Sequence, residues 1–174
     1  MGYAQPARIY RNDRNGTFSD VSADCGSFFS HRQVARGAAF GDFDNDGDID
    51  VLIGCNNQPA VLLRNDTPHR NHWIRVALVG NGCNRDGLGA CVRVSAGSAT
   101  LTQFVRSATS YLSDHDRRLR FGIGTAREAT VEITWPCGAV QKLDLQADRS
   151  ITVRESGCRG KRIDDLAEKP RLGK

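Results

Sequence analysis

The chain has 174 residues, 39% of them hydrophobic, and a formal net charge of +4. That length allows one or two small domains, and no apolar run approaches the roughly 18 residues of a membrane span. Six Lys/Arg against three acids in residues 156–174 account for most of the charge. The remainder is near neutral and has no basic stripe interleaved with aromatics, which excludes a nucleic-acid reading.

Eighteen Gly, a single Met and short alternating runs rich in Val, Ile and Thr predict an all-β protein with many turns. Met1 to Tyr10 contains no apolar stretch, so no signal peptide is visible, and an export signal would lie outside this chain. The six cysteines, at 25, 55, 83, 91, 137 and 158, include no C-x-x-C pair. This leaves zinc-ribbon and thioredoxin-like motifs unsupported. An even count favours an oxidising compartment. Cys83 and Cys91, close together around a Gly-rich turn, are the expected bridge; the other pairings are open, as is a set of buried or free thiols.

Taken in order, the chain first shows a repeat. Ala7-Arg8-Ile9-Tyr10-Arg11-Asn12-Asp13 returns as Ala60-Val61-Leu62-Leu63-Arg64-Asn65-Asp66, a period of 53 residues. Periods of this size signal propeller blades or other arrays, in which one repeat cannot bury its own face. Asn15-Gly16 before Thr17–Val21 is a hairpin signal. Residues 37–40, 50–53 and 61–64 then read as strands.

Between the first two of these lies Asp42-Phe43-Asp44-Asn45-Asp46-Gly47-Asp48-Ile49-Asp50, with five carboxylates in nine positions. Their mutual repulsion calls for a cation. Alternating Asp42, Asp44 and Asp46, a turn at Gly47 and the return of Asp50 make a cage of hard oxygen ligands suited to Ca²⁺. The Asp48 carbonyl supplies a further ligand by analogy with an EF-hand. The loop is not itself an EF-hand: position twelve is Ile53 instead of a bidentate Glu, and the flanks are strands. A solvated acidic turn without metal is the alternative.

The run Arg36–Asp50, with Tyr10-Arg11-Asn12 and Asn15-Gly16-Thr17-Phe18, resembles the FG-GAP (VCBS-type) repeat over roughly residues 5–66. The resemblance implies a blade of an integrin-like β-propeller with calcium held by Asp42, Asp44, Asp46, Asp50 and the Asp48 carbonyl. Propellers have 4–8 blades and this chain holds little more than one. The expectation is therefore a C-terminal fragment whose upstream blades are missing.

Residues 67–70, containing Pro68, read as a linker. His69 and His72 stand three apart, a spacing that can suit a metal, but packing or hydrogen bonding is the expected role. From Trp73 onward about seven strand candidates follow at short intervals over residues 71–155, predicting a compact antiparallel sandwich or barrel. Five segments here resemble the ASPIC/UnbV domain, in order: 71–76, 84–90, 110–113, 119–124 and 135–138. That domain follows FG-GAP repeats in cartilage acidic protein-like families. Cys83, Cys91 and Cys137 are departures from its pattern.

Three stretches of this domain invite chemistry. Residues 107–118 hold Ser110, Ser113, Asp114, His115 and Asp116, but no G-x-S-x-G elbow exists, so a solvated loop with Tyr111 and Leu112 packed inward is expected. Asn84-Arg85-Asp86-Gly87 lacks the strand-then-helix setting of a phosphate loop. It reads as a turn in which Arg85 or Asp86 bonds to backbone. Arg117, Arg118 and Arg120 should pair locally with Asp114 and Asp116. Residues 156–174 read as a disordered basic tail.

Together these features predict a non-catalytic, extracellular or periplasmic calcium-binding module that engages a protein or glycan in adhesion. Two alternatives stand beside it. One is an enzyme or accessory subunit using the propeller face or the 107–118 loop; the other is a structural cap of a longer propeller.

Overall fold

The computed structural model describes residues 3–68, 70–82, 84–107 and 109–157. His69, Cys83 and the tail from 158 onward, on which expectations were placed above, lie outside the described residues. The described chain is all-β apart from two short 3-10 turns, Ser22–Asp24 and Ser27–Ser30. The described residues divide into two compact units, one drawn from those up to 66 and from 109–115, the other from those of 67–107 and 116–157.

Among the described residues, the first unit contains three small sheets. β1 (Gln5–Pro6) pairs with β4 (Arg32–Gln33), and β2 (Tyr10–Asn12) with β3 (Phe18–Asp20). The turn between β2 and β3 is closed by Asn12 and Asn15, whose side-chain oxygens accept from Arg14 N and Thr17 N. β5 (Ala35–Gly41), β6 (Asp50–Cys55) and β7 (Val61–Leu63) form an antiparallel meander.

Side chains alternate across a strand, so this meander has two apolar faces. Ala38, Phe40, Val51, Ile53, Val61 and Leu63 share one; Ala39, Leu52 and Leu62 share the other. Ile53 is the one buried hydrophobic side chain of the unit among the described residues, whereas Phe40, Leu52 and Leu62 are 44%, 47% and 43% exposed.

Residues 110–115 lie along the free edge of β5. Ser113 Oγ accepts from Ala38 N at 3.0 Å, and His115 Nδ1 accepts from Phe40 N at 3.3 Å. The His115 ring also meets Phe40 edge-on, with centroids 4.9 Å apart. Two alternate side chains thus satisfy two alternate backbone donors of an edge strand, which protects it from pairing elsewhere. Gly37 permits the approach, because a Cβ there would lie 2.4 Å from Leu112 O. Tyr111 and Leu112 do not pack inward as expected: they are 74% and 70% exposed. The segment is held by its polar side chains, and Leu112 sits at φ +49°.

Among the described residues, the second unit has seven strands: β8 (His72–Val79), β9 (Cys91–Ala96), β10 (Ala99–Phe104), β11 (Leu119–Gly124), β12 (Glu128–Thr134), β13 (Val140–Gln146) and β14 (Arg149–Arg154). They form a four-stranded sheet, β10-β9-β12-β13, and a three-stranded sheet, β11-β8-β14. Ile74, Val76, Leu119 and Phe121 of the smaller sheet share one core with Val92, Val94, Val131, Ile133 and Trp135. The arrangement is an open sandwich and not a closed barrel. It is also not wholly antiparallel, since β14 runs parallel to β8.

Asn84 organises the turn before β9: its Oδ1 accepts from Asp86 N at 3.0 Å and Leu88 N at 3.1 Å. The expectation had placed that role on Arg85 or Asp86. Asp86 instead receives Arg117 Nη1 at 2.7 Å. Cys91 carries a free thiol at the start of β9, so the expected Cys83–Cys91 bridge is not formed. Its position is set by strand pairing, opposite Phe104 on one side and Thr134 on the other.

Candidate metal centre

β5 ends at Gly41, which pairs directly with Asp50 at the start of β6, so residues 42–49 close a hairpin. The loop curls through its own side chains. Asp44 Oδ1 accepts from Asp46 N at 3.3 Å and Asp46 Oδ1 from Asp48 N at 2.7 Å, both spanning two residues as in Asx turns. Asn45 and Gly47 take positive φ values of 62° and 98°, the left-handed conformation that Asn and Gly adopt most readily. Gly47 N then donates to Asp42 Oδ2 at 3.0 Å, drawing the tip back over the base.

One carboxylate oxygen from each of Asp42, Asp44 and Asp50 lies within 4.8 Å of the others. Oxygens on opposite sides of a Ca²⁺ ion are separated by about 4.6–5.2 Å, twice the usual bond length. The three oxygens therefore fit inside one calcium shell, and an all-oxygen donor set is the chemistry a hard cation takes. Asp42 and Asp50 are buried and Asp44 is exposed, leaving one side of the cluster to solvent. Asp46, predicted as a ligand with these three, is not in the group, and its Oδ1 is used on Asp48 N. Asp48, half-buried, was expected to contribute through its carbonyl.

Two participants were not anticipated. Asp50 bonds at both oxygens, Oδ2 accepting from Phe43 N at 2.7 Å and Oδ1 from Asn65 N at 2.8 Å. It thereby ties the loop to the chain leaving β7. Arg64 pairs with Asp66 at 2.8 Å, as Arg11 pairs with Asp13 at 3.2 Å one repeat earlier. The Asp66 hydrogen bond and charge raise the Arg64 pKa, and Asp44 and Asp46 add to the effect. The 53-residue repeat could have pointed to Asn65 and Arg64, since it carries Arg-Asn-Asp in both copies.

The other stretches have structural partners. Asp116 pairs with Arg118. Burial raises its pKa, but hydrogen bonds from the Arg118 side chain and backbone, with the charges of Arg118 and Arg75, outweigh that and leave it lowered. His72 Nδ1 lies 2.7 Å from Asp148 Oδ2, in the hydrogen-bonding role expected for it.

The aspartate loop between two strands and most of the two-sheet sandwich that follows fall within segments that two family models match. The FG-GAP-like repeat model matches residues 1–53, and the ASPIC and UnbV model matches residues 80–160. Among curated proteins, the chain is similar to cartilage acidic protein 1 of Mus musculus, 25% identical over 128 residues. That match covers 68% of this chain and 19% of the relative. The Homo sapiens protein of that name is also 25% identical over 128 residues, covering 68% and 18%. The Xenopus tropicalis protein is 26% identical over 113 residues, covering 60% and 16%. This chain thus spans less than a fifth of the length of these relatives. Among the described residues, no helix is long and apolar enough to cross a membrane.

Proposed function

We propose that the chain is a non-catalytic, calcium-stiffened binding module that works outside the cell, engages a protein or glycan in adhesion, and packs within a larger propeller. The observation that carries this reading is the convergence of Asp42, Asp44 and Asp50 oxygens at the neck of a strand hairpin. Calcium bound there would offset carboxylate repulsion and couple metal occupancy to folding. A small, half-open ligand set suits the millimolar calcium of extracellular modules, whose dissociation constants run about 10⁻⁴–10⁻³ M.

The two apolar faces of the β5-β6-β7 sheet support the larger assembly. Phe40 on one face and Leu52 and Leu62 on the other present exposed hydrophobic surface, which a neighbouring sheet on each side would cover. The non-catalytic reading draws support from Ser113 and His115, whose side chains accept backbone hydrogen bonds from β5. The test is a thermal melt of the whole chain in excess Ca²⁺, in Mg²⁺ and in chelator. A calcium-specific rise in Tm is expected. Equal melting in all three would overturn the metal reading.

A further inference from the structure

We propose that a groove beside Arg36, in the first unit and away from the aspartate loop, binds a saccharide that carries a carboxylate. Two cavities of about 550 and 430 Å³ adjoin there, each lined by Tyr3 and Arg36. Their side chains include five amides, from Gln5, Gln33, Asn56, Asn57 and Gln58, and no acid. A third cavity that also touches Arg36 is lined by Asp114, which favours the two cavities lined by Tyr3 for an anionic ligand.

The fold places these groups together. Gln5 and Gln33 stand opposite each other in the β1–β4 pair. Asn56 N donates to Val34 O at 2.8 Å, and Gln58 Oε1 accepts from Val34 N at 3.3 Å, which orients the Gln58 amide. Asn57 takes φ +56° in the intervening turn. Arg36 donates one hydrogen bond, from Nη1 to Ala35 O at 3.1 Å, out of the five N–H groups of a guanidinium.

The chemistry of this set selects the ligand. A side-chain amide offers donor and acceptor in one plane, and so does each hydroxyl pair of a sugar ring. The Tyr3 ring, 87% exposed, gives a flat apolar face for sugar C–H groups. The Arg36 fork matches a carboxylate in geometry and charge.

This inference rests on the reading of the chain as a binding module and names a ligand class for it. The test is a titration of the whole chain, by calorimetry or NMR, with a glucuronate-containing tetrasaccharide and its carboxyl-reduced counterpart. Binding of the acidic sugar is expected, weakened about tenfold, or about 1.4 kcal/mol, by carboxyl reduction or by Arg36→Ala. Arg36→Lys should fall between, and Tyr3→Ala, on a side chain too exposed to affect folding, should weaken both sugars.

Equal affinity for the two sugars, no binding at about 10 mM, where even affinities weaker than about −4 kcal/mol would register, or a preference for an extended peptide would overturn the proposal. Asp44→Ala should leave sugar binding in place. Absence of a calcium shift in the unmodified chain, with its sugar binding intact, would refute only the metal reading. The reverse result would refute only the groove.

Discussion

Asp44→Ala and Asp50→Ala should separate a metal ligand from a structural clasp. In chelator, Asp44→Ala removes one hydrogen bond to Asp46 N, which at 3.3 Å and exposed to screening solvent is worth about 0.5 kcal/mol, the low end of the range. Asp50→Ala, at a site only 2% exposed, strips acceptors from Phe43 N and Asn65 N. Hydrogen bonds to a charged group contribute about 1.5–3 kcal/mol each. Relief of carboxylate repulsion offsets part of the loss, so a net cost of about 2–4 kcal/mol is expected. Calcium at about 100 times its dissociation constant should add about 2.7 kcal/mol to the unmodified chain. For a chain of this size that is a rise of about 5–10 °C. Melts of the three proteins with and without Ca²⁺ should show Asp44→Ala near normal in chelator but without most of the calcium increment. Asp50→Ala should be low in both. An Asp44→Ala protein with a full calcium shift would refute the ligand assignment, and an unaltered Asp50→Ala protein in chelator would refute the clasp.

Four further outcomes follow from the same geometry. Gly37→Ala puts a Cβ 2.4 Å from Leu112 O and should release residues 110–115 from β5, read as faster amide exchange at Ala38 and Phe40. Ser113→Ala removes the acceptor for Ala38 N and should cost about 1 kcal/mol in denaturant unfolding. Gly80→Ala puts a Cβ 1.9 Å from Asn84 O and should destabilise the sandwich by more than about 3 kcal/mol, seen as a lower urea midpoint. The lowered Asp116 pKa makes a pH prediction. Its stabilising contribution is present above the unfolded-state value of about 3.9 and is lost as pH falls through the lower folded value. Asp116→Asn should flatten that acid limb, and an unchanged limb would assign it to other carboxylates.

Much of the architecture was legible because period-two alternation is a local property. The strand candidates from Trp73 to Arg154 correspond to β8 through β14, and the expected 37–40 and 50–53 strands lie within β5 and β6. The candidate metal centre was equally readable at Asp42, Asp44 and Asp50, since an aspartate spacing and a central Gly describe a loop that folds on itself. The disulfide was not: nearness in sequence says nothing of where strand pairing sends two cysteines, and Cys91 is a free thiol.

By itself, then, the sequence determined the all-β class, the repeat with its paired Arg-Asn-Asp and the acidic loop that closes on itself, because each is written within a few tens of residues. Only the tertiary structure decided which distant groups complete them. Ser113 and His115 reach β5 across 75 residues, Asp50 meets Asn65 across 15, and β14 returns parallel to β8. The physical reason is that an edge strand or a buried carboxylate requires a hydrogen-bond partner without specifying its place in the chain. Chain topology chooses that partner.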